Sequence, residues 1–135
     1  MFKNAVHSIC AAAGWKEPQA DGQGRYAFSL EGGLDFTLSS PDGMRLLALA
    51  PLLVADDGLD IPIETLEEVL LTASARFARM RSVLSLEEDT GRLTLHAFFA
   101  LRDAGDKKPV EFMEAFLNDL AFWKAQPALS ARREQ

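Results

Sequence analysis

Between Arg25 and Val54 the apolar residues fall on every second position three times over, and each run stops at a turn sequence. "RYAFSL" puts Tyr26, Phe28 and Leu30 on one face, and Glu31-Gly32-Gly33 then turns the chain into "LDFTLSS", where Leu34, Phe36 and Leu38 are in step. "SPDG" at 40–43 is a β-turn sequence, with Pro41 suited to its second position and Gly43 to its end. The third run, "MRLLALAPLLV", is apolar on both sides, with Met44, Leu46 and Ala48 on one and Leu47 and Leu49 on the other; Pro51 marks its edge or its end. Period-two patterning broken by short turns predicts a three-stranded antiparallel meander. A sheet with one continuous apolar face must be covered, so this feature dictates what the rest of the chain does.

The flanking segments have helical periods. Phe2, Val6, Ile9, Cys10 and Ala13 share one face of a first helix that Gly14 can end. After the loop "DDGLDIP", where Asp57 or Asp60 can cap and Pro62 fits a first turn, a second helix is predicted from about Ile63 to Met80. Its residues Ile63, Leu66, Leu70, Ala73, Phe77 and Met80 step by three and four, a heptad seam widened by Val69 and Leu71. "SVLSLEE", a turn at Asp89-Thr90-Gly91 and "LTLHAFFAL" form a hairpin, followed by a third helix with Pro109 in its first turn and Met113, Phe116, Leu117, Leu120 and Trp123 on its apolar face. The expected fold class is α+β in the order α-β-β-β-α-β-β-α, an antiparallel twisted sheet with three helices. It is expected to be one domain over 1–135 with a frayed tail at 126–135. A chain of 135 residues, 48% of them hydrophobic, suffices for one such core.

Chemistry is sparse. His7 and Cys10 lie three apart on one helix, but no third group accompanies them, so Cys10 is read as a core residue and His7 as a boundary one. Two histidines and one cysteine are too few for a structural zinc site. The acidic run Glu87-Glu88-Asp89 lacks the alternation and glycine of a calcium loop and is read as a solvated turn. Arg76, Arg79 and Arg81 suit the negative end of the second helix. His96 stands on its strand with no signalled partner and is read as a boundary histidine. The chain is expected not to be an enzyme and to need no cofactor or metal. Its net charge of -6 disfavours nucleic acid, and no apolar run is long enough for a membrane span. With a single cysteine it suits a reducing cytoplasm.

What stands out is apolar surface in excess. Phe98 occupies the nominally polar side of its strand, Leu47 and Leu49 oppose an already apolar face, and the second helix is wider than one sheet face covers. A binding module accounts for this. A small ligand-binding domain or enzyme with a pocket between sheet and helices, or an adaptor subunit of another bacterial complex, remains open from the residues alone. The heptad seam and the strand from Val83 to Leu86 predict a homodimer through Val69, Ala73, Phe77, Met80 and Leu84. A partner peptide is expected on the first helix and the meander, at Phe2, Val6, Ile9, Phe28, Phe36, Leu47 and Leu49, by strand addition at an open edge.

The element order, the stretch "LEEVLLTASARFARMRSVLSLEEDTGRLTLHAFF" and the closing "FMEAFLNDLAFWKAQPAL" resemble class I type III secretion chaperones, the Tir chaperone or CesT-like family. The resemblance spans nearly the whole chain and rests on patterns: an "LL" on the second helix, the "LSLEEDTGRLTL" hairpin, and an aromatic third helix ending near a tryptophan. It implies a homodimer in the bacterial cytoplasm that binds the N-terminal part of a secreted effector. Such a protein keeps the effector extended and delivers it to the secretion ATPase, using no nucleotide itself.

Overall fold

The computed structural model describes residues 1–53, 63–76, 79–86, 92–102, 107–126 and 129. Its elements are α1 (Phe2–Ala13), β1 (Tyr26–Leu30), β2 (Leu34–Ser39), β3 (Arg45–Leu53), α2 (Ile63–Arg76), β4 (Val83–Leu86), β5 (Leu93–Ala100) and α3 (Lys107–Lys124). The five strands form one sheet in the order β1-β2-β3-β5-β4, antiparallel at every pairing. The meander and the hairpin thus join through β3 and β5, the longest strands, which pair from Arg45↔Ala100 to Leu53↔Leu93.

Turn chemistry sets the register. After Glu31 the chain needs two successive residues with positive φ, and Gly32 at 85° and Gly33 at 75° supply them at no steric cost, which aligns Phe28 with Phe36. In the "SPDG" turn the Gly43 amide donates to the Ser40 carbonyl at 3.3 Å. The Asp42 carboxylate accepts from the amides of Met44 and Arg45 and from Arg45 Nε, each at 2.9 Å. These donors hold its carboxyl down from the ordinary 3.8 to about 2, the backbone amides contributing most. A carboxyl depressed by folding stabilises the fold above its unfolded pKa, and that contribution fades as pH falls from 3.8 toward about 2. Asp42→Asn should therefore lower the melting midpoint slightly at neutral pH and flatten its dependence in that acid window, as a pH series of thermal melts would show.

One face of the sheet carries the core. Tyr26, Phe28, Phe36, Leu38, Leu46, Ala48, Ala50, Leu95 and Ala97 are buried there against Val6, Ile9 and Cys10 of α1 and Phe112, Met113, Phe116 and Leu120 of α3. Phe28 and Phe36 stack at 5.0 Å, Phe36 meets Phe116 edge-on at 6.3 Å, and Phe99 meets Phe112 at 5.2 Å. Gly14, with φ 74°, ends α1 in the left-handed conformation, with its amide donating to the Cys10 carbonyl. The chain reversal brings Trp15 against Phe28 and Phe36.

Two expectations change. Leu129, inside the segment expected to fray, is 1% exposed and its amide donates to the Gln126 carbonyl, because an apolar side chain there completes the core. The second helix is described only to Arg76, and its seam divides: Val69 is buried and Leu66 and Ala73 pack inward, while Ile63 and Leu70 are exposed. At 3.6 residues per turn, positions 66, 69 and 73 share the inner face, and 63 and 70 rotate out. Phe77, the caps Asp57 and Asp60, Pro62 and the run Glu87-Glu88-Asp89 lie outside the described residues.

Candidate partner-binding surface

The second face of the sheet follows from strand alternation. Register sets Thr37, Leu49, His96 and Val83 in one row across four strands, and Ser39, Leu47 and Phe98 in the next. Leu47, Leu49 and His96 are half-buried, whereas Phe98 and Val83 are exposed at 46% and 54%. This is an apolar strip on the side of the sheet opposite α1 and α3. Its rim is polar and fixed: the Arg45 guanidinium, tethered by Asp42, lies 4.4 Å over the Phe98 ring, and His96 meets the same ring edge-on at 5.9 Å. Phe98 therefore does not point idly into water; it is clamped between a cation and an imidazole with half its surface open.

His96 also has a partner that sequence reasoning missed. Its Nδ1 lies 3.0 Å from the Ser85 hydroxyl on β4. The signal was present, since Ser85 and His96 share the same sheet face once β4 and β5 are aligned, but the register was needed to see it. Among the described residues no carboxylate accepts from the other ring nitrogen, so the pair lacks the orienting acid of a hydrolytic triad. At the other candidate, exposed His7 pairs with Glu17 at 3.4 Å and Cys10 is buried. Burial first, and the Glu17 charge second, push the Cys10 thiol up, away from the thiolate that nucleophilic chemistry uses. Among the described residues, no three His, Cys, Asp or Glu side chains converge to hold a metal ion.

The residues expected to receive a peptide separate into two groups. Val6, Ile9, Phe28 and Phe36 are corrected to core: each is 7% exposed or less, because the meander turns the face carrying Phe28 and Phe36 toward α1 and α3. Phe2 is half-buried, with its ring edge-on to Tyr26 at 5.6 Å. Leu47 and Leu49 remain on the strip, joined by Phe98 and Val83. The residues expected between subunits also divide. Val69 is corrected to the monomer's own interior, at 3% exposure. Ala73, Met80 and Leu84 line one cleft of about 420 Å³ with Leu70, Val83 and Trp123, between α2, β4 and the end of α3. Beside it the Arg76 guanidinium stacks 4.0 Å over Phe122. Arg76 Nε and Trp123 Nε1 are buried without a hydrogen-bond partner among the described residues.

Known structures repeat this architecture. A chain of the HopA1–SchA chaperone–effector complex superposes with a TM-score of 0.69 at 17% identity, covering 93% of this chain and 94% of that one. A chain from the Yersinia pestis type III secretion chaperone SycH bound to a stable fragment of YscM2 gives 0.63 at 12% identity, covering 91% and 99%. One from the heterodimeric ExoU–SpcU complex of the Pseudomonas aeruginosa type III secretion system gives 0.61 at 16% identity, covering 89% and 91%. No curated protein sequence matches this chain. Among the described residues no helix is long and apolar enough to cross a membrane. The model of the Tir chaperone protein (CesT) family matches residues 4–124, and the chain belongs to that family.

Proposed function

We propose that this chain is a type III secretion chaperone that binds the N-terminal region of a cognate effector and keeps it extended, soluble and competent for export. It works as a homodimer in the bacterial cytoplasm, without catalysis or cofactor, and hands its cargo to the secretion ATPase. The whole of 1–135 acts as one domain. Family membership sets the class. The observation that carries the reading is the strip of Leu47, Leu49, Phe98 and Val83, which gives an extended segment apolar contact on a face opposite the core helices. A structure of related fold that is a chaperone–effector complex supports it. Among the described residues β1 and β4 are the edges of the sheet, where main-chain groups can receive an added strand.

Coexpression with tagged candidate effectors from the same genome tests the reading. One effector should copurify, and its N-terminal segment should resist proteolysis only while bound. Sedimentation of the chain alone should show a dimer at micromolar concentration. Failure to retain any effector fragment would overturn the reading.

A further inference from the structure

One titratable side chain interrupts the apolar strip. Register sets His96 between Leu49 on β3 and Val83 on β4, and Phe98, two residues along its own strand, meets the imidazole edge-on at 5.9 Å. The ring is half-buried and held in place, with Nδ1 3.0 Å from the Ser85 hydroxyl. A hydroxyl serves the ring in either charge state, donating to a bare Nδ1 and accepting from Nδ1–H. The imidazole can therefore change charge without leaving the strip.

The charged side chains around it do not balance an added proton. β3 brings Arg45, whose guanidinium lies 4.4 Å over the same Phe98 ring and is already paired with Asp42 at 2.9 Å. β2 brings Asp35, which by alternation shares the face of Thr37 but sits two strands away and one row along. Tyr26–Leu30 of β1 and Val83–Leu86 of β4 carry no charged side chain, and β5 carries none besides the histidine. Arg81 and Arg92, which precede β4 and β5, are exposed cations. The helices α1 and α3 cover the opposite face.

We infer that His96 makes the strip a pH-dependent binding surface, which accepts an apolar cargo segment while the imidazole is neutral and loses it when the imidazole is protonated. The inference rests on the cargo reading above and adds its regulation. A bound segment strips water from the ring. Neutral imidazole keeps its Ser85 hydrogen bond and loses little. Imidazolium would be desolvated among Leu49, Val83 and Phe98, with cations as its nearer charged neighbours among the described residues. Histidine is the side chain that changes charge between about pH 5 and 8, so affinity should be full above that range and fall as pH drops through it. Linkage requires the reverse effect as well: cargo favours the neutral ring, so binding within the range expels protons.

The probe is the N-terminal segment of the effector retained in coexpression, made as a peptide with any histidine replaced by glutamine and titrated into the intact chain by calorimetry. Between about pH 7.5 and about pH 5.5 the dissociation constant should rise about tenfold. His7→Gln, at the exposed histidine of α1, should keep that ratio. His96→Gln, whatever its affinity at the upper pH, should hold that affinity within about twofold at the lower one. A second measurement needs no variant: titrations of the wild type in two buffers of different ionisation enthalpy, near pH 6.5, should show proton release on binding. A wild-type constant unchanged across the range, binding without proton release, or a dependence that survives in His96→Gln overturns the switch and leaves the cargo reading standing. Binding that Phe98→Asp leaves normal places the cargo off the strip and overturns the switch whatever the pH profile. If coexpression retains no effector, both readings fall.

Discussion

Truncating Phe36 to alanine is expected to remove about 3–5 kcal/mol of folding stability, the range for deleting a large ring from a packed core. Phe36 is 2% exposed and held by aromatic neighbours on three sides: Phe28 stacked at 5.0 Å, Trp15 tilted at 6.1 Å and Phe116 edge-on at 6.3 Å. The ring links α1's C-terminal turn, the meander and α3, so the cavity left behind touches three elements that can collapse only by moving together. The melting midpoint should fall by roughly 10 °C or more for a domain of this size. In denaturant the midpoint should drop with little change in slope. A loss under 1 kcal/mol would mean that the Phe28–Phe36–Phe116 contact is not where α3 is anchored. Effector binding should recover fully at temperatures where the variant is folded, because Phe36 faces away from the strip.

That distinction was beyond the sequence. Alternation at Tyr26, Phe28 and Leu30 and at Leu34, Phe36 and Leu38 shows that these residues share a face, but not which face the helices cover. Where β3 is apolar on both sides, Leu46 and Leu47 look alike; only the helices, arriving from distant parts of the chain, make Leu46 core and leave Leu47 half-buried. The local features were legible because local physics sets them. Gly14 adopts the left-handed conformation that ends α1, Gly43 closes the "SPDG" turn, and the element order appears as the periodicities predict.

The seam of α2 shows the other limit. Steps of three and four from Ile63 through Leu70 satisfy a heptad, but one helical segment of 14 residues can hold two apolar stripes, and composition does not say which turns inward. Packing decides: Val69 is buried and Leu71 is not. Of the residues expected to meet a second subunit, Val69 packs into the interior, while Ala73, Met80 and Leu84 stay partly exposed along the cleft. Ser85 escaped for a related reason, since its contact with His96 depends on strand alignment across a hairpin.

Replacing Phe98 with aspartate is expected to weaken effector binding about a hundredfold, the effect of losing an aromatic anchor of some 2–3 kcal/mol, while the melting midpoint moves by only a few degrees. The asymmetry follows from position. Phe98 is 46% exposed on the face opposite α1 and α3, so the folded state loses little burial when the ring is removed. A bound segment, however, would bury the open half of that ring together with its cross-strand neighbour Leu47, and a carboxylate in the same place must be desolvated without a guaranteed partner. Arg45 complicates the charge, because its guanidinium, 4.4 Å above the ring, can pair with a nearby aspartate; Phe98→Ala separates lost contact from added charge and should give an intermediate loss. Leu49→Asp, in the adjoining row between Thr37 and His96, should impair binding to a similar degree. Phe98→Leu should retain most of it, since shallow apolar contact and not ring shape is what an extended segment needs. Titration calorimetry with the effector segment, run beside sedimentation, distinguishes the outcomes. Normal binding by both aspartate variants would move the docking surface off the strip. Loss of the dimer with effector affinity per subunit unchanged would make the strip a contact between subunits instead.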